Sequence, residues 1–308
     1  MERPRPVSPP GPGAARRIGP YHLITRLDPI GTGLSAVPER RFIARGPDGD
    51  RTVLLSSPHR TTDPARFAVE ARAARYLMGP GVSQVTEVSE TADSPWYATS
   101  YLPVLPLPVV LAVHGGPLPE ATVRAVGAAL AEALATAHSL GVTHAGVSPA
   151  AVLLAGDGPR LGCFGAVRVA AADGEARAGL PGLDPGSLAP EQASGGRPRP
   201  PGDVYALGAV LAYTAAGHTV PERDELPSAL RSLISSCLVR DPAQRPSAAD
   251  ILTELVPVSA SPHGTVLHST NTRAASLLTP GWLPGRVIAA LARQSAAVLA
   301  ADITPSQD

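Results

Sequence analysis

Few residues of this 308-residue chain have the chemistry to act on a ligand, and their types narrow what the ligand could be. All 26 basic residues are arginine and there is no lysine. No ammonium is therefore available to hold a phosphate, and the planar fork of arginine is not an equivalent replacement. The segment Asp28-Pro29-Ile30-Gly31-Thr32-Gly33 has glycines that could present backbone N–H groups to an anion, but Asp28 adds negative charge and Pro29 removes a donor. Cys163 and Cys237 fall in different predicted elements without metal-ligand spacing and read as reduced thiols. A thiol becomes a nucleophile beside a cation, and none is evident in the sequence around Cys163. Asp184 is the acid that could reach a metal from its loop, although loop acids are ordinarily solvated.

These residues need a scaffold, and the composition constrains it. Hydrophobic residues make up 44% and aromatics only 4%, so the core must be built from Ala, Val and Leu. A net charge of zero gives no long-range attraction to nucleic acid or to an anionic membrane. Residues 1 to 17 read as a disordered Pro/Gly/Arg arm; without an apolar segment it is not a signal peptide. Tyr21-His22-Leu23-Ile24 and Arg51-Thr52-Val53-Leu54-Leu55 are strand-like, and Gly46-Pro47-Asp48-Gly49 is a hairpin signal. A helix is predicted over 63 to 77, with Asp63 as N-cap and Pro64 at its first position. Residues 119 to 140 place Val123, Val126, Leu130, Leu134 and Ala137 on one helical face, ended by Gly141.

A short strand pair is predicted at Val152-Leu153-Leu154 and Pro159-Arg160-Leu161. Helices are predicted near 203 to 216, 228 to 239 and 247 to 255. The apolar stretch 204 to 220 is too short to span a membrane comfortably and reads as a buried core helix. A Ser/Thr/Pro-rich linker over 256 to 282 leads to an amphipathic helix over 283 to 302, then a tail over 303 to 308. The apolar side of that helix, with Val287, Ile288, Leu291 and Val298, docks on its own domain, on a partner or on a membrane.

In order and spacing the segments from 18 to 255 resemble a bacterial, actinobacterial-type serine/threonine protein kinase domain. Ala189-Pro190-Glu191 resembles its A-P-E motif and Asp203-Val204-Tyr205-Ala206-Leu207-Gly208 the start of its central helix. Asp241-Pro242-Ala243-Gln244-Arg245-Pro246 resembles the segment whose Arg pairs with the A-P-E Glu. The resemblance implies an α+β, bilobal kinase-like fold, with a β-rich N-lobe over 18 to 103 and a helical C-lobe over 104 to 255. His144, Phe164, Glu191, Asp203 and Arg245 take its structural positions.

The positions that move phosphate do not match. Ser56 stands where the resemblance calls for the phosphate-holding Lys, leaving Glu70 without the partner such a Glu has. In the catalytic loop His144-Ala145-Gly146-Val147-Ser148-Pro149-Ala150-Ala151, Gly146 stands for the base Asp, Ser148 for the loop Lys and Ala151 for the metal-binding Asn. Cys163-Phe164-Gly165 replaces D-F-G, and a neutral thiol is a poor ligand for Mg²⁺. Loss of a general base alone costs about 10² to 10⁴ in rate. The nucleotide-pocket positions are Gly31, Gly33, Leu54, Glu70, Ser100, Leu102 and Leu153.

The resulting expectation is a cytoplasmic, catalytically inactive kinase homologue, a pseudokinase, with a protein partner and no nucleic acid or membrane span. No catalytic residue, metal site or cofactor is expected, and ATP binding is left open. A metal-independent nucleotide-binding switch and a weak unconventional kinase are the alternatives.

Overall fold

The computed structural model of the protein describes residues 17–28, 37–91, 93–256 and 272–301. Residues 1 to 16 of the arm expected over 1 to 17, Gly31, Gly33 and the tail over 303 to 308 lie outside them, and Arg17, the last residue of that expected arm, is paired in a strand instead. The N-terminal part is strand-rich: β1 (Arg17–Ile18), β2 (Tyr21–Arg26), β3 (Glu39–Arg45), β4 (Thr52–Pro58), then helix α1 (Pro64–Ala74), β5 (Val85–Val88) and β6 (Tyr97–Ser100). These strands form one antiparallel six-stranded sheet in the order β1-β2-β3-β4-β6-β5.

Its register is set by the β3–β4 turn, where the Gly46 N–H donates to the Arg51 carbonyl at 2.7 Å. Counting back from that turn pairs Arg45 with Thr52, Arg41 with Ser56 and Arg40 with Ser57. Helix α1 starts where the sequence places it. Asp63 Oδ1 accepts from Ala65 N at 2.9 Å and Arg66 N at 3.3 Å, a cap that contributes about 1 kcal/mol.

The sheet changes after Ser100: β7 (Val104–Pro106) pairs not with β6 but with β8 (Val152–Ala155), which pairs with β9 (Gly158–Leu161). Helices α2 (Leu107–His114) and α3 (Glu120–Ser139) lie between β7 and β8 in the chain. After β9 come α4 (Ala166–Ala170), α5 (Pro190–Ala193), α6 (Pro200–Ala216), α7 (Ser228–Cys237), α8 (Ala248–Leu255) and α9 (Gly285–Leu299). The largest core cluster joins Val126, Leu130 and Leu134 of α3 to Leu207 and Leu211 of α6, Ile234 of α7 and Ile251 of α8. Few aromatics are needed because small residues let helices approach closely: a Cβ at Gly208 would lie 2.5 Å from Cys237 Cβ.

Residues 272–282 are packed rather than linker-like. Ala274 and Trp282 are buried, Trp282 Nε1 donates to the Gly156 carbonyl at 2.9 Å, and Glu132 accepts from the Arg273 and Ala274 N–H groups. Composition misses this because the anchors are main-chain groups and one tryptophan; the remainder of the expected linker, 257 to 271, lies outside the described residues.

Candidate functional site

Strand alternation puts Glu39 and Arg41 of β3 on the same face as Ser56 of β4, toward the space between the lobes. Glu39 is buried, and its Oε1 accepts from Tyr97 Oη at 2.6 Å, Ser56 Oγ at 3.0 Å and Cys163 Sγ at 3.5 Å. Arg41 is also buried; it donates to Asp28 through Nε at 3.0 Å and a terminal nitrogen at 2.5 Å, and its other terminal nitrogen lies 3.9 Å from Cys163 Sγ. Burial pushes the Glu39 carboxyl above its ordinary pKa, against the lowering effect of Tyr97 and Arg41. Burial likewise holds the Cys163 thiol well above its ordinary value, with Glu39 adding to the rise and Arg41 opposing it. Cys163 therefore has a cation beside it, which the local sequence does not reveal, yet it remains a neutral thiol.

Below this cluster the loop between α3 and β8 is tied to the Cys163 turn. Gly165 N–H donates to the His144 carbonyl at 2.9 Å and Val167 N–H to the Ala145 carbonyl at 2.8 Å. Asp203, at the start of α6, accepts from His144 N at 2.7 Å, Ala145 N at 2.8 Å and His138 Nε2 at 2.9 Å. Those bonds hold Ala145 at φ +52°, a left-handed conformation costing an alanine roughly 1–2 kcal/mol. Gly146 is backed so closely onto Cys163 that a Cβ there would lie 1.9 Å from the Cys163 carbonyl oxygen. Ser148 Oγ accepts from Ala151 N at 3.3 Å, capping the turn Pro149–Ala151. Ala151 and Cys163 join Ala166 in an apolar cluster, with Leu183 packed against it.

Glu70 of α1 is not a solvated carboxylate. Arg168 of α4 pairs with it at 2.8 Å and also lies over the Phe164 ring, 5.0 Å from its centroid. The segment beyond α4 is anchored by Arg177, whose side chain is fully buried and donates to the carbonyls of Ala171, Gln192 and Gly196. Asp184 Oδ2 accepts from Ser187 N at 2.8 Å and Ser187 Oγ at 2.5 Å, so it caps a local turn. Glu191 and Arg245 meet in a two-pronged pair at 2.8 and 2.9 Å, with the guanidinium over the Tyr205 ring. Removing one member of such a pair strands the other, at a cost of about 3–5 kcal/mol.

Leu54, Leu102 and Leu153 lie in the cluster that α9 joins through Val298. Leu54 and Leu153 are buried in one cluster with Leu27, Ile43, Val104 and Val298, and Leu102 packs against it. Ser100 is exposed at the end of β6, opposite Val53. Helix α9 crosses the connection between the two sheets. Val287 and Leu291 lie in the C-lobe core and Val298 in the N-lobe cluster. Gln294 brackets Val104, accepting from its N–H at 2.9 Å and donating to its carbonyl at 2.8 Å. Arg45 donates to the Val298 carbonyl at 2.8 Å. The apolar stripe of this helix is visible in the sequence; the Gln294 contacts are not, because no periodicity marks a side chain that binds backbone.

The structure resembles the crystal structure of the Mycobacterium tuberculosis PknI kinase domain, with a TM-score of 0.58 at 23% identity, over 79% of this chain and 98% of that one. The fold is that of the protein kinases. In sequence the chain is similar to the probable serine/threonine-protein kinase PkwA of Thermomonospora curvata, 34% identical over 270 residues, and to the serine/threonine-protein kinase AfsK of Streptomyces coelicolor, 31% identical over 298 residues. Those matches cover 81% and 89% of this chain but 35% of each relative, so the chain spans about a third of their length. No protein-family model matches. The chain is thus a kinase-like homologue of bacterial serine/threonine protein kinases.

Cys163 and Ala151 are the residues that the sequence resemblance assigns to the positions of divalent-cation ligands. A high-pKa thiol and a methyl group inside an apolar cluster supply no oxygen donor, so these residues do not fit the ion. Among the described residues no group of three His, Cys, Asp or Glu side chains could hold a metal.

His144 of this kinase-like core is buried, with neither ring nitrogen hydrogen-bonded and the ring edge-on to Phe164 at 5.6 Å. Burial lowers its pKa from 6.5 to about 4, with Asp203 opposing the shift. The unfolded chain therefore takes up a proton below pH 6.5 that the native state refuses, and stability falls as pH drops from 6.5 to 4. The cumulative loss is roughly 3 kcal/mol. Glu39 shifts in the opposite sense, so the effect is isolated by comparison with His144→Leu. The stability of the native protein relative to that variant, from urea unfolding, should fall by that amount across this interval. A constant difference would mean that the buried ring can take its proton without cost.

Proposed function

We propose that this protein is a pseudokinase: a kinase-fold module that does not transfer phosphate and serves, in the cytoplasm, as a signalling scaffold or allosteric partner of another protein. The observation carrying this reading is Arg41, held by Asp28 and placed against Cys163 beneath the Glu39–Ser56 contact. Phosphoryl transfer depends on bound divalent metal, free positive charge on the phosphates and a positioned base. Here the cation is already neutralised by Asp28, the metal positions are apolar and the base position is Gly146. Leu54 and Leu153 pack into one cluster, which favours an adenine site filled by the protein's own side chains. Helix α9, tying the two lobes together, supports a module with a fixed lobe arrangement. Among the described residues no helix is long and apolar enough to cross a membrane.

Thermal melting with millimolar ATP, with and without Mg²⁺, tests the proposal. A ligand at 100 times its Kd adds about 2.7 kcal/mol, so even a weak site registers; no shift is expected in either condition, and no labelling of protein substrates from radioactive ATP. An ATP-dependent gain that survives EDTA, without turnover, would replace this reading with the metal-independent switch. Labelling above background, free of contaminating kinase, would replace it with an active enzyme.

A further inference from the structure

The outer face of the N-terminal sheet carries a second constellation, unrelated to the cleft. The register that sends Arg41 and Ser56 inward sends Arg40 and Ser57, opposite each other on β3 and β4, to the other side. There they line a cavity of about 420 Å³ together with Arg17 and Arg60, between the β4–α1 connection and the turn before β6. None of these arginines makes an ion pair among the described residues. Arg17 bonds His22, Arg40 donates through Nε to the Pro58 carbonyl at 2.9 Å, and Arg60 makes no side-chain hydrogen bond among the described residues.

Two further observations point to a missing ligand. Ser57 is buried, 2% exposed, and its hydroxyl has no hydrogen-bond partner among the described residues, a deficit that costs a buried polar group about 1–3 kcal/mol. The arginines also repel: burial first, then the charges of Arg26 and Arg60, lower the pKa of Arg40. Asp93 is the one acid on the lining, and it pairs with none of the arginines.

We infer that this cavity is an anion site for a phosphate monoester, held by Arg17, Arg40 and Arg60 with the Ser57 hydroxyl. Three guanidinium groups around one space suit an anion with two charges and three acceptor oxygens, where a carboxylate would satisfy only one fork. The size leaves room for the residue that carries the ester. The site does not depend on whether the cleft binds nucleotide, because the two lie on opposite faces of the sheet.

The test uses the full chain and three probes at matched ionic strength: inorganic phosphate, a phosphoserine peptide and its unphosphorylated counterpart. Phosphate should raise the melting temperature where sodium chloride of equal ionic strength does not. The phosphopeptide should bind by fluorescence anisotropy and the plain peptide should not. Arg60→Ala, at an exposed position, and Arg40→Ala should each weaken binding by at least about tenfold, as expected for losing a charge-assisted hydrogen bond, and Ser57→Ala by less. Phosphopeptide binding tighter than free phosphate assigns the site to a modified protein; equal binding assigns it to the free ion. No response to either phosphate probe, or equal affinity in Arg60→Ala and the native protein, overturns the inference.

Discussion

Replacing Gly146 with aspartate, the change that would return a carboxylate to the base position of a kinase, is expected to destabilise the protein by more than about 4 kcal/mol and to restore no phosphoryl transfer. The reason is already present at the first side-chain atom. A Cβ on Gly146 would lie 1.9 Å from the Cys163 carbonyl oxygen, 3.0 Å from its carbon and 3.2 Å from the Ala166 nitrogen. These are backbone atoms with little freedom to move. Cys163 is held at φ +59°, its carbonyl accepts from Ala166 N at 3.2 Å, and the adjoining Gly165 and Val167 amides are bonded to the His144 and Ala145 carbonyls. Gly146→Ala should therefore lose nearly as much as Gly146→Asp, since the clash is steric and not electrostatic. Urea unfolding of both variants checks this. A Gly146→Ala protein within about 1 kcal/mol of the native one, in the range of an ordinary tolerated substitution, would show that the two segments separate at little cost, and a kinase-like loop would then be accessible.

That result bears on what the sequence could tell. Gly146 is legible as a missing base, because its spacing from His144 and from Cys163-Phe164-Gly165 resembles a catalytic loop. It is not legible as a steric requirement, because that depends on how close a second segment, 17 residues away, comes to it. The fold was readable for a related reason. Caps, hairpin turns and helical stripes are local, and Asp63, the Gly46–Gly49 turn and the face of α3 each act within a few residues. Helix α4 has only five residues, too few for a periodic pattern, and it escapes the sequence together with the Glu70–Arg168 pair it provides.

The Glu39–Arg41 cluster is intermediate. Its signal was present: once the hairpin turn is placed, counting back along β3 and β4 pairs Arg41 with Ser56. The absence of lysine does not reveal it, since an inward arginine one strand away occupies the same face as Ser56. Arg177 and Gln294 carry no such signal, because both bind main-chain carbonyl or amide groups remote in sequence. The sequence thus indicates, through its resemblance to kinases, which residues stand at the phosphate-handling positions. Only the structure tells what has filled the space.

Arg41 is the residue on which that filling depends, and Arg41→Ala should cost about 3–5 kcal/mol, the penalty for breaking a buried ion pair from one side. Asp28, with its side chain 16% exposed, would keep a charge with no counterion. Glu39 would lose the neighbouring charge that opposes the rise in its pKa, and would be driven further toward its neutral form. Replacing both members of the pair, Arg41→Met with Asp28→Leu, removes the stranded charge and should recover most of the loss. The single variants Arg41→Met and Asp28→Leu and the double variant form a thermodynamic cycle whose coupling energy, read by urea unfolding, should lie well above the ~0.5 kcal/mol limit expected of independent sites. The same proteins separate structure from function. If the pairing with Asp28 is what Arg41 contributes, the double variant melts as the native protein does and remains indifferent to ATP, because removing a cation supplies neither a metal ligand nor positive charge for the phosphates. If the double variant is as unstable as Arg41→Ala, the contact of the guanidinium with Cys163, and not its pairing with Asp28, is what holds the two lobes in register at this point.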